Sequence, residues 1–168
     1  MYTFRAAAVA ATLIAGLSVS AAHAVDAKML AQSAEPMSAQ ELRVIYQNKS
    51  WIWKKGAGYF ATKERRFSAW GGSVAKPTYA EGRWFLPERG GKVCFRAEWY
   101  YRGGSKPELT CFSHRKAGAT ILQRREPDAD WYVFRNPAST KADAFSKLKR
   151  GDYVGTKLER RRAALGNR

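Results

Sequence analysis

Residues 81–115 read EGRWFLPERGGKVCFRAEWYYRGGSKPELTCFSHR, and they hold the only two cysteines of the chain. From Val93 to Tyr101 the side chains alternate. Val93, Phe95, Ala97, Trp99 and Tyr101 fall on one face, Cys94, Arg96, Glu98 and Tyr100 on the other. That period of two predicts a strand with one mostly apolar face. Leu109 to Arg115 alternates in the same way, and the Gly- and Pro-containing segment Arg102–Pro107 between them predicts a loop. A hairpin that sets Cys94 opposite Cys111 puts both thiols on one side of the sheet. Phe95 and Phe112 then share the other side.

Outward from this hairpin the chain continues in short aromatic runs. Trp51–Lys54, Gly58–Ala61, Arg66–Trp70 and Ala80–Leu86 precede it, and Ala119–Arg124 and Trp131–Arg135 follow. Gly, Pro and charged turns separate them. The spacing predicts a mainly β fold: an antiparallel sheet or small closed barrel of about eight strands. No βαβ alternation is present, which argues against a parallel sheet. Ser38-Ala39-Gln40-Glu41 is a capping box, and Leu42, Ile45 and Tyr46 form an apolar stripe, so Ser38–Gln47 reads as a short helix. A second helix start is read at Thr140, with Phe145 and Leu148 as its stripe and Gly151 as its end. Val154 and Leu158 lead into Arg160-Arg161-Arg162, a basic helix or a frayed coil.

Residues 1–24 read as a signal peptide, with Arg5, an apolar run over Ala6–Val19 and an Ala22-His23-Ala24 cleavage site. The apolar run is shorter than a spanning helix needs. Residues 25–37 read as a flexible lead-in, 38–151 as one β-rich domain with flanking helices, and 152–168 as a basic tail. In an exported chain, periplasmic or secreted, Cys94 and Cys111 are expected to form a disulfide. The chain carries a formal charge of +16, and loss of Arg5 with the signal leaves about +15 on about 140 residues. Such a charge attracts polyanions of the envelope, whereas nucleic acid is not the usual occupant of that compartment. Its plain reading is solubility.

Catalytic chemistry finds little support. His114 is the only histidine left after cleavage, so neither a metal set nor a Ser-His-Asp arrangement assembles around it. Three residues along a strand separate Cys111 from His114 onto opposite faces, which prevents a thiol–imidazole pair. Glu98 shares a face with Arg96, as an ordinary surface pair does. No catalytic residue, metal ligand or cofactor site is assigned. The remaining candidates are tryptophans interleaved with Arg and Lys. Trp51 with Trp53, and Trp99 with Phe95, share faces and read as core. Trp70 and Trp131 lie at strand ends and read as exposed.

Several motifs occur in fixed order: Trp51-x-Trp53-Lys54-x-Gly56-Ala57-Gly58-Tyr59-Phe60, Phe67-x-Ala69-Trp70, Ala80-Glu81-Gly82-Arg83-Trp84, Cys94-Phe95-Arg96-Ala97-x-Trp99, Cys111-Phe112-Ser113-His114-Arg115 and Trp131-Tyr132-Val133-Phe134. In these the chain resembles the DUF995 family, small exported proteins of alphaproteobacteria, over roughly Ser38–Gly151. The resemblance implies a Gram-negative periplasmic setting and transfers no catalytic residue, because the family's function is unknown.

The expectation is therefore a non-enzymatic module that binds an anionic envelope polymer such as acidic polysaccharide. Trp70, Arg83, Arg96 and Arg115 are its expected ligand-binding residues. The alternatives are an enzyme acting on envelope glycan, disfavoured by the scarcity of His and paired acids, and an inhibitor of a secreted hydrolase.

Overall fold

The computed structural model describes residues 27–166, so the expected signal peptide lies outside the described residues. In chain order, helix α1 (residues 27–33) leads into β1 (Glu35–Pro36) and α2 (Ala39–Tyr46). A run of eight strands follows: β2 (Lys49–Trp53), β3 (Gly56–Phe60), β4 (Arg66–Gly72), β5 (Pro77–Phe85), β6 (Lys92–Tyr101), β7 (Gly104–Ala117), β8 (Thr120–Arg125) and β9 (Tyr132–Arg135). A 3-10 turn (Ala144–Lys147), β10 (Leu148–Arg150) and helix α3 (Gly155–Ala164) complete the fold.

The sheet runs in the order β10-β2-β3-β4-β5-β6-β7-β8-β9, with β1 on β7, and every pairing is antiparallel. It curls into a half-barrel without closing. β9 and β10 are not paired with each other, and the 3-10 turn between them packs on β9 and β2. The curl needs close approach where β5 presses on β6. A Cβ on Gly82 would come within 2.0 Å of the Arg96 carbonyl oxygen, so only glycine fits there.

Alternation sets the two faces. Phe60, Phe67, Ala69, Trp84, Val93 and Ala97 point into the curl and form the core. α2 plugs one end of it with Leu42, Ile45 and Tyr46, each burial worth about 1.5–3 kcal/mol. The capping box holds as read. Ser38 Oγ accepts from the Glu41 amide at 3.2 Å, and the Glu41 carboxylate accepts from the Ser38 amide at 2.9 Å. On the outer face, Val154 and Leu158 of α3 pack with Ala57 and Tyr79.

The central hairpin has Cys94 opposite Cys111, and the two form a disulfide. Its turn is tighter than the sequence suggests. β7 begins at Gly104, only Arg102–Gly103 turn the chain, and Gly103 takes φ +94°. Pro107 then sits within the strand, opposite Glu98.

Three further differences have physical reasons. The lead-in expected over 25–37 is ordered as α1 and β1. Ala27, Ala31 and Ala34 recur at helical spacing and let α1 lie close on Leu122, a stripe too small to register as hydrophobic. The helix expected after Thr140 is a short 3-10 turn followed by β10. The Asp143 carboxylate accepts from the Asn136 amide (3.1 Å) and the Thr140 amide (3.0 Å), which pins a turn instead of opening a helix. Leu148–Arg150 then pair with β2. Within 152–168, residues 155–164 are helical and anchored by Leu158, so the tail is a docked basic helix.

Candidate functional site

Each hairpin turn of an antiparallel meander alternates between the two ends of the sheet. α2 plugs the end that carries the β3–β4 and β5–β6 turns. The other end is open. There the inward side chains of β2, β4, β6 and β7 leave a cleft of about 490 Å³. Its wall is Trp51, Trp53, Phe67, Phe95, Trp99, Phe112 and Tyr132. Phe67 and Phe95 stack at 4.2 Å between centroids, and Trp51 leans on Phe112 at 4.9 Å. Ala144 and Lys147 of the 3-10 turn close one side.

Trp53 is 40 % exposed and lies flat over β3. A Cβ on Gly56 would come within 2.3 Å of its Nε1, so the glycine is what lets the indole rest on the backbone. Polar groups are few and stand near the opening. Glu108 and Arg125 pair at 3.2 Å, Lys147 is exposed, and Thr110 lies lower down.

Tyr132 links the cleft to a buried polar cluster behind it. Its hydroxyl donates to Gln123 Oε1. Gln123 Nε2 donates to Tyr46 Oη at 2.8 Å, and Tyr46 Oη bonds His114 Nε2 at 2.8 Å. His114 Nδ1 lies 3.1 Å from the Phe112 carbonyl oxygen. With Nδ1 donating there, Nε2 is the acceptor and the tyrosine donates to it, a neutral tautomer. Burial agrees: it holds the imidazole pKa down at about 3 and pushes Tyr46 well above the ordinary tyrosine value. Burial also pushes Tyr132 up to about 12. His114 is thus an interior member of a hydrogen-bonded network. Among the described residues, no three His, Cys, Asp or Glu side chains gather as a metal set.

The four residues read as ligand-binding occupy three separate places. Arg83 and Arg96 stand side by side on the outer face, in register across β5 and β6, with Arg66 next in the row. Arg83 donates to the Glu64 carbonyl oxygen at 2.9 Å. Trp70 lies under α3, with Lys157 Nζ at 4.6 Å and Arg161 at 5.5 Å from its ring. Arg115 is on the other flank, where it donates to the Ala31 carbonyl oxygen and covers Trp131 together with Arg124. Trp70 and Trp131 are therefore half covered by cations. The tryptophans read as core, Trp51, Trp53 and Trp99, line the cleft instead. Alternation reveals that they share a face but not that this face is left unfilled at one end of the curl.

The family model described as "Protein of unknown function (DUF995)" matches residues 13–154. No curated protein and no solved structure matches the chain. With most of its length covered by that match, the chain belongs to the DUF995 family.

Proposed function

We propose that this protein is an exported, non-enzymatic binding module that takes an anionic envelope component in the aromatic cleft. The observation that carries the reading is the distribution of chemistry in that cleft. Seven aromatic side chains line it, while Lys147 and the Arg125–Glu108 ion pair stand at the opening. Apolar walls with a few placed polar groups are the usual make-up of a small-molecule site, and a volume of about 490 Å³ suits one.

The same distribution narrows the ligand. An acidic polysaccharide would bring many hydroxyls against a wall with few partners for them, and each unpaired polar group buried is costly. A ligand with an apolar body and one anionic group matches better: the body displaces water from the rings, and the anion meets Lys147. Export fits the disulfide, which persists in oxidising compartments. Cleavage after Ala24 would leave every residue of the α1 contact in the mature chain.

Calorimetry tests this with three probes: laurate, lauryl alcohol and trigalacturonate. Laurate is expected to bind best, and trigalacturonate not to enter the cleft. Trp53→Ala removes a half-exposed ring and should weaken laurate about tenfold, while Lys147→Gln should weaken laurate about fivefold and leave the alcohol unchanged. Preferential binding of trigalacturonate that survives Trp53→Ala would return the site to the arginines of the outer face.

A further inference from the structure

The open end of the half-barrel carries a second feature, on its turns. Trp53, Val74 and Tyr101 lie on or beside three successive turns of that end, β2–β3, β4–β5 and β6–β7. Their exposures are 40 %, 88 % and 45 %. The registers Trp53↔Gly56, Gly56↔Gly71, Gly71↔Thr78 and Tyr79↔Tyr100 bring these turns to one edge of the molecule. The same turns hold Lys54, Lys55, Lys76 and Arg102, all exposed. α3 runs down to this edge as well. Arg161 Nη1 donates to the Ser73 carbonyl oxygen at 3.0 Å, which sets the end of the basic helix beside the Val74 turn.

Charge alone does not single out this end, because Lys63, Arg65 and Arg89 are exposed on turns of the opposite one. What singles it out is the combination. Three exposed apolar residues stand among lysine and arginine: Trp53 at the aromatic cleft, and Val74 and Tyr101 beside α3 on the outer face. Val74 is 88 % exposed and leaves its apolar side chain in water. An anionic bilayer has a use for both parts: the cations sit among the headgroups and the apolar tips reach the acyl boundary. A hydrated polyanion would meet the cations but leave the valine without a partner. No helix among the described residues is long and apolar enough to cross a membrane.

We infer that the open end of the half-barrel docks on an anionic lipid surface, through the Val74 turn and the lysines of the flanking turns. Asp128 and Asp130, on the β8–β9 loop of the same end, tilt the contact towards the β2–β5 side. The inference does not require the cleft ligand to be known.

The test is co-sedimentation of the mature chain with vesicles of phosphatidylcholine alone and of phosphatidylcholine with roughly one-third phosphatidylglycerol. Binding to the second and not to the first is expected, with partial loss as salt rises. Two charge-reversal pairs change the net charge equally: Lys54→Glu with Lys55→Glu at the open end, and Lys63→Glu with Arg65→Glu at the plugged end. The first should lower partitioning by about tenfold or more and the second by much less. Val74→Asp, on an exposed turn, should also lower it, and circular dichroism checks that each variant keeps its fold. Equal loss from both pairs would overturn the inference, as would no binding to either vesicle. So would full binding by Val74→Asp accompanied by displacement with trigalacturonate, since that would mark a polyanion surface without lipid insertion.

Discussion

His114 shows what the interior of this curl does to a single residue. It is wholly buried, accepts from Tyr46 and is kept neutral by its surroundings. Its folded-state pKa, about 3, lies below the ordinary 6.5, so the unfolded chain takes up a proton first as pH falls. The contribution to stability is complete above about 6.5 and is lost as pH drops towards 3, by up to about 1.4 kcal/mol per pH unit. Glu41, bonded by Lys116, and Asp143, bonded by Asn136, are both held at about 2. Their contributions are present above the ordinary carboxylate values and fade only below those. Among these three groups, the histidine therefore acts alone between about pH 6.5 and 4.5. Urea unfolding should show stability about 2 kcal/mol lower near pH 4.5 than near pH 7, and His114→Gln should remove most of that dependence. A flat profile across this range in the unaltered protein would contradict the buried neutral imidazole.

At the scale of elements, the β6–β7 hairpin is the part whose pairing is covalently fixed. The two cysteines are 17 residues apart, and closing a loop of that size takes about 3 kcal/mol of chain entropy from the unfolded state. Cys94→Ser should lower stability by about 2–5 kcal/mol, with the unaltered protein under reductant shifted in the same direction. Two reactive thiols in the native protein would refute the pairing. The hairpin also shows where element boundaries mislead. Pro107 and Gly104 read as loop, yet both lie in β7, because the ladder across β6 continues past them. The stripe of Ala27, Ala31 and Ala34 is hard to read for a related reason. Alanine carries little hydrophobic signal, and its value here is that it lets α1 approach the sheet closely.

For the whole molecule, the open sheet predicts a gradient of local stability. β6 has long ladders with both β5 and β7, and the disulfide lies in the second of them. β10 is three residues long and paired on one side only, and β1 makes just two pairs. Amides of β5–β7 should exchange with solvent only through global unfolding, while those of β1 and β10 exchange through local opening. Native-state hydrogen exchange read strand by strand measures this. Uniform protection across all ten strands would imply an assembly that covers the edges.

About eight strands, their antiparallel character, the cysteine pairing and the α2 capping box were all legible in the sequence. Each depends on local information: a period of two, a Gly- or Pro-bearing turn, a Ser three residues before a Glu. β1 and β10 were not legible, because strands of two and three residues have no period and exist only where an edge accepts them. The candidate site was legible only in its composition. Alternation places Trp51, Trp53, Phe95 and Trp99 on inward faces, but not which inward face the core fills and which it leaves open. That is decided by how far the sheet curls and by α2 entering one end alone, and both depend on contacts between residues far apart in the chain.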